Sequence, residues 1–108
     1  MKILILFFLF CSLSHAETVY VLEQTIGDET RRFVLEESKI EKARFQFFNK
    51  KAKSILKMKS QEKSFCLKDY VTLEEKSGKS VLACIRSKEK ISKDLVKFSS
   101  LVQLQFGK

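Results

Sequence analysis

The sequence predicts a small α+β fold: an antiparallel sheet of two β-hairpins plus a C-terminal strand, packed on one long amphipathic helix (about 39–58) and one short helix (about 91–99). Three observations carry this expectation. Two stretches, 18–35 and 70–85, alternate apolar and polar residues around a glycine-containing turn. Between them, "KIEKARFQFFNKKAKSILKMK" has no glycine or proline and is rich in helix-forming residues. Near the end, Ile91, Leu95, Phe98 and Val102 recur at helical spacing.

The first hairpin, "TVYVLEQTIGDETRRFVL", is the sharper signal. With Gly27-Asp28 as a two-residue type II′ loop, Gly27 supplies the positive φ. Leu22 then faces Phe33, Val21 faces Val34 and Glu23 faces Arg32, so apolar meets apolar and charges oppose. In "YVTLEEKSGKSVLACI", a Ser77-Gly78 loop puts Glu75 opposite Ser80, Leu73 opposite Leu82 and Val71 opposite Cys84. That register leaves Lys76 facing Lys79, which a wider loop over 76–79 relieves without changing the pairing.

Residues 39–59 have two readings. As a helix, Ser38-Lys39-Ile40-Glu41 forms a capping box, and Lys53, Lys57 and Lys59 sit at the end where the helix dipole favours cations. At about 100° per residue, Lys39, Lys42, Lys50, Lys53 and Lys57 share one face. Ile40, Phe47, Phe48, Ile55 and Met58 lie broadly opposite. The alternative is an all-β fold with a third hairpin at 43–58, pairing Phe45 with Leu56 and Ala43 with Met58. At the C-terminus a short helix gives way to a strand near 101–106, where Val102, Leu104 and Phe106 alternate. Leu22, Phe33, Phe47, Ile55, Val71, Leu73, Leu82, Ile85 and Phe98 are the expected core.

The N-terminus, "MKILILFFLFCSLSHA", reads as a secretory signal peptide: one lysine, an apolar run, then small residues around a cleavage point after Ala16. The run from Ile3 to Leu13 is shorter than the roughly 20 residues of a membrane-spanning helix. The expectation is an exported protein, periplasmic or secreted, with residues 17–108 as a single domain and no transmembrane segment. Export carries a redox consequence. Cys66 and Cys84 are expected to form a disulfide. On a straight strand Cys66 would lie about 17 Å beyond Val71, so the chain must bend, most simply at Lys68-Asp69.

Loss of residues 1–16 also removes His15, the one histidine. Histidine-dependent nucleophile pairs are then excluded. The sequence holds no Gly-rich phosphate loop, no metal-ligand cluster and no CxxC pair. Glu36-Glu37 and Glu74-Glu75 are sequence neighbours, poorly placed to share a site on a strand. No enzyme activity, cofactor or metal is expected.

Charge is the remaining signal. The chain carries +8 overall: Lys2 contributes +1, residues 17–38 −4, residues 39–63 +7 and residues 64–108 +4. Specific nucleic-acid recognition is not expected, because only four of the 21 basic residues are arginines. The expectation is a non-catalytic binding protein whose Lys39, Lys42, Lys50, Lys53 and Lys57 dock on an anionic surface or acidic protein, with peripheral membrane contact. The alternative is a protein-binding module or inhibitor acting through a sheet edge or loop, its lysines merely solvated.

Overall fold

A computed structural model describes residues 17–106. The signal-peptide reading falls on residues 1–16, outside the described residues. The fold is α+β, with strands β1 (Val19–Ile26), β2 (Glu29–Glu36), β3 (Asp69–Glu75) and β4 (Ser80–Cys84) and helices α1 (Lys42–Leu56) and α2 (Lys90–Phe106). The sheet is antiparallel with strand order β2-β1-β3-β4.

The first hairpin has the expected register pair for pair: Leu22 with Phe33, Val21 with Val34, Glu23 with Arg32. Gly27 takes the positive φ of its two-residue loop, 63°. The second hairpin differs by one residue. Leu73 pairs with Val81, Val71 with Ala83 and Tyr70 with Cys84. The loop is three residues, Lys76-Ser77-Gly78, closed by Gly78 N–H donating to the Glu75 carbonyl at 2.8 Å, and Gly78 takes the positive φ. The odd loop length moves Lys76 out of the ladder, which removes its clash with Lys79. It also flips β4: Val81 and Ala83 are buried in the core, while Leu82 sits half-buried on the opposite face.

Both helices cover the same face of the sheet. Tyr20, Leu22, Leu35, Val71, Leu73, Val81 and Ala83 meet Phe45, Phe48, Ala52 and Ile55 of α1 and Ile91, Leu95, Phe98 and Val102 of α2. Aromatic pairs knit the layers. Phe45 stacks on Tyr20 at 6.2 Å and Phe48 meets Phe98 edge-on at 6.0 Å.

Four further expectations differ from the fold. Residues 43–58 form no hairpin, and the helix begins at Lys42 without the capping box. Glu41 is its N-cap, because Ser38 belongs to a 3-10 turn (Glu37–Lys39) and Ile40 is extended, which packs Ile40 against the core. The C-terminal strand near 101–106 is absent, and α2 runs through Phe106 instead. Its buried residues keep the helical period, and Phe106 stacks on Phe33 at 5.9 Å. Phe47 is not core but 48% exposed.

The outer edge of β4 is sealed by the segment after α1. Gln61 N–H donates to the Leu82 carbonyl at 2.8 Å. Its side-chain oxygen accepts from Cys84 N–H at 2.7 Å and from the buried Ser92 hydroxyl at 3.1 Å. One glutamine thereby joins loop, sheet edge and the first turn of α2. Cys66 and Cys84 form the disulfide, with Cα atoms 4.8 Å apart. The bend that permits it lies at Leu67-Lys68, one residue earlier than expected, where Asp69 N–H donates to the Cys66 carbonyl at 3.0 Å.

Closing this 18-residue separation contributes roughly 3 kcal/mol by the chain-entropy model. Reduction is therefore expected to lower unfolding free energy by about that amount, read from denaturant midpoints with and without reductant. An unchanged midpoint would contradict it. Tyr20 supplies a pH prediction. Burial, with Glu75 and Glu37 nearby, pushes its phenol up to about 12, and its hydroxyl donates to Asn49 Oδ1. The fold holds that proton more tightly than the unfolded chain does. The associated stability is complete below about pH 10 and is lost as pH rises towards about 12. Urea midpoints at about pH 9 and about pH 11.5 should fall more steeply for the wild type than for Tyr20→Phe, and equal slopes would contradict the assignment.

Candidate functional site: a cationic strip on α1

Burial decides how α1 is rotated. Phe45, Phe48, Ala52 and Ile55 are its buried residues, spaced 3, 4 and 3 apart, which is one face of a helix. On the far side Lys42, Lys50, Lys53 and Lys57 surround Gln46, and all four lysines are exposed. Among the described residues none of the four is ion-paired. They form an uncompensated strip along the outside of the domain.

Lys39 does not belong to this strip. It lies in the 3-10 turn before the helix, and its ammonium pairs with Glu36 at 3.4 Å. The expectation that it shares the helix face rested on a helix starting at residue 39. The extended Ile40 breaks that phase.

Other residues join the strip. A groove of about 420 Å³ runs between α1 and α2, lined by Phe47, Lys50, Lys51, Ser54, Asp94 and Lys97 among others. Lys51 Nζ lies 5.1 Å from the centroid of the Phe47 ring, a cation–π contact. Lys97 carries positive charge across the groove onto α2. Asp94 is the acidic member, and it is held by Lys90 at 3.0 Å, four residues earlier on the same helix. Sequence reasoning missed Lys51, Lys97 and the exposure of Phe47. The spacing of Lys90, Lys93 and Lys97 already marked a polar face on α2, but nothing in the sequence placed that face beside α1.

The chemistry available is recognition of negative charge. Lysine ammonium groups are compact point charges with three donors each, suited to phosphate or carboxylate groups without a fixed geometry. Among the described residues no group of three or more His, Cys, Asp and Glu could hold a metal ion. The carboxyls of Glu74 and Glu75 lie on opposite faces of β3. Glu17 is held below the usual carboxylate range by hydrogen bonds from the Ser38 side chain and backbone N–H, a contact at the domain's edge. Among the described residues no helix is long and apolar enough to cross a membrane. No protein-family model, curated protein or solved structure matches this chain.

Proposed function

We propose that this chain is an exported, non-catalytic binding protein that docks on anionic partners through Lys42, Lys50, Lys53 and Lys57. The observation that carries the reading is the division of α1: its inner face is fully committed to the core, and its outer face presents four unpaired ammonium groups. The partner class is one with dense phosphate or carboxylate groups, such as lipid head groups, lipopolysaccharide or an acidic polymer. Export is supported by the N-terminal apolar run alone.

A second reading rests on β2. It is an edge strand over Glu29–Glu36, with β1 on one side and, among the described residues, no strand on the other. The opposite edge, β4, is covered by Ser60 and Gln61. A partner strand could add to β2. Binding of that kind would survive high salt, whereas the lysine strip's would not.

The test is co-sedimentation of the protein, purified from the extracytoplasmic fraction, with phosphatidylglycerol-containing and pure phosphatidylcholine vesicles, beside retention on immobilised polyphosphate. At about 1 kcal/mol for each of four lysines, the preference for the anionic surface reaches roughly a thousand-fold at low salt. It should collapse as ionic strength rises. Binding to neither anionic vesicles nor polyphosphate at low salt would overturn the reading.

A further inference from the structure

Two costs in this fold bring it no return. Phe65 and Leu67 are 77% and 87% exposed. Leu67 is also the one non-glycine residue among those described with a positive φ, 55°. A leucine is unfavourable there, where glycine or asparagine would sit more easily. A loop selected only to bridge α1 and β3 would carry a small polar residue at that position. Instead the chain holds two large apolar side chains out in water, on either side of a buried cysteine.

That cysteine makes the pair rigid. Cys66 is bonded to Cys84 at the end of β4. Its N–H donates to the Lys63 carbonyl and its carbonyl accepts from Asp69 N–H, each at 3.0 Å. Gly27 N–H, in the first hairpin's loop, donates to the Lys68 carbonyl at 3.1 Å. Phe65 and Leu67 are thus displayed on an anchored backbone, so that burying them against a partner would cost little ordering entropy.

The surroundings are mixed in charge, with a small basic excess. Lys63 and Lys68 flank the pair in sequence. Lys59 and Arg86 line a hollow of about 560 Å³ beside Phe65 and Leu67, together with Glu62 and Glu89. Arg86 is engaged by Asp69 at 2.8 Å. The strip on α1 ends at Lys57, and the chain reaches Lys59 at the hollow two residues later.

We infer that Phe65 and Leu67 form a fixed apolar wedge that enters the head-group region of an anionic phospholipid bilayer, with Lys59 and Lys68 on the phosphates around it. This deepens the docking function proposed above and rests on it. A bilayer is favoured over a protein because two convex side chains cover far less than the roughly 800 Å² per partner of a stable protein interface. A bilayer needs no complementary shape, and anionic head groups complement the lysines.

The chain contains no tryptophan, so Phe65→Trp introduces a single reporter at an exposed site. On vesicles of equal parts phosphatidylglycerol and phosphatidylcholine, its emission should shift to the blue and be quenched by lipids brominated on the acyl chain. With polyphosphate it should do neither. The companion variant is Phe65→Ser with Leu67→Asn, the asparagine chosen because it tolerates the positive φ. It should lose roughly ten-fold or more in vesicle partitioning and keep wild-type retention on polyphosphate. Unshifted emission from vesicle-bound protein, or unchanged partitioning of the double variant, overturns the wedge and leaves docking by charge intact. Retention on polyphosphate without vesicle binding does the same. Binding to neither overturns both.

Discussion

One-sided burial governs this structure. A four-stranded antiparallel sheet must hide one apolar face, and two helices are available to hide it. Burying a phenylalanine or isoleucine contributes about 1.5–3 kcal/mol, whereas an exposed ion pair contributes at most about 1. The rotation of α1 is therefore set by Phe45, Phe48, Ala52 and Ile55, and the lysines go wherever that leaves them. The strip is in this sense a consequence of the core. Its lack of acidic partners is not, since glutamates four residues from those lysines would have cost the fold nothing.

The second organising feature is the connection from α1 to β3. It does four jobs within a dozen residues. Ser60 and Gln61 close the β4 edge, which would otherwise invite another strand. Gln61 also satisfies the buried Ser92 hydroxyl at the start of α2. Cys66 then ties the same segment to Cys84. Lys63 reaches over the Tyr70 ring at 5.1 Å and, with Thr25, holds that phenol below its ordinary value. A segment with so many anchors can display Phe65 and Leu67 without folding them inward.

What the sequence made legible follows from how local each feature is. The Gly27-Asp28 loop has two residues and eight paired positions behind it, so alternation and charge agreed on one register. The Lys76-Ser77-Gly78 loop offered nearly equal apolar pairings in two registers, and only loop geometry separates them. The helix over 42–56 was visible, but its start was not, because the extended Ile40 answers to the core and not to the local capping pattern. At the C-terminus, Val102 belongs to two patterns: it ends the helical run from Ile91 and opens the alternation through Leu104 and Phe106. The decision falls to α2, which buries Val102 and leaves Leu104 in water. The disulfide was legible from the expectation of export and the even pair of cysteines that expectation leaves. Its geometry hung on Leu67, whose positive φ no pattern announces. The approach of Lys97 to α1 and the role of Gln61 are products of tertiary packing alone.

The functional account turns on where the charge lies. A +8 chain would drift towards any anionic surface through its net field, whereas a docking strip depends on where its lysines sit. Position can be separated from total charge by two triple reversals of equal size. Lys50→Glu, Lys53→Glu and Lys57→Glu change the α1 strip, while Lys76→Glu, Lys79→Glu and Lys88→Glu change the second hairpin and the loop before α2. The measurement is affinity for phosphatidylglycerol vesicles at fixed salt. If the strip is the docking surface, the first variant loses most of its binding and the second stays near wild type. Equal losses in both would mean that net charge alone does the work, and would contradict the account.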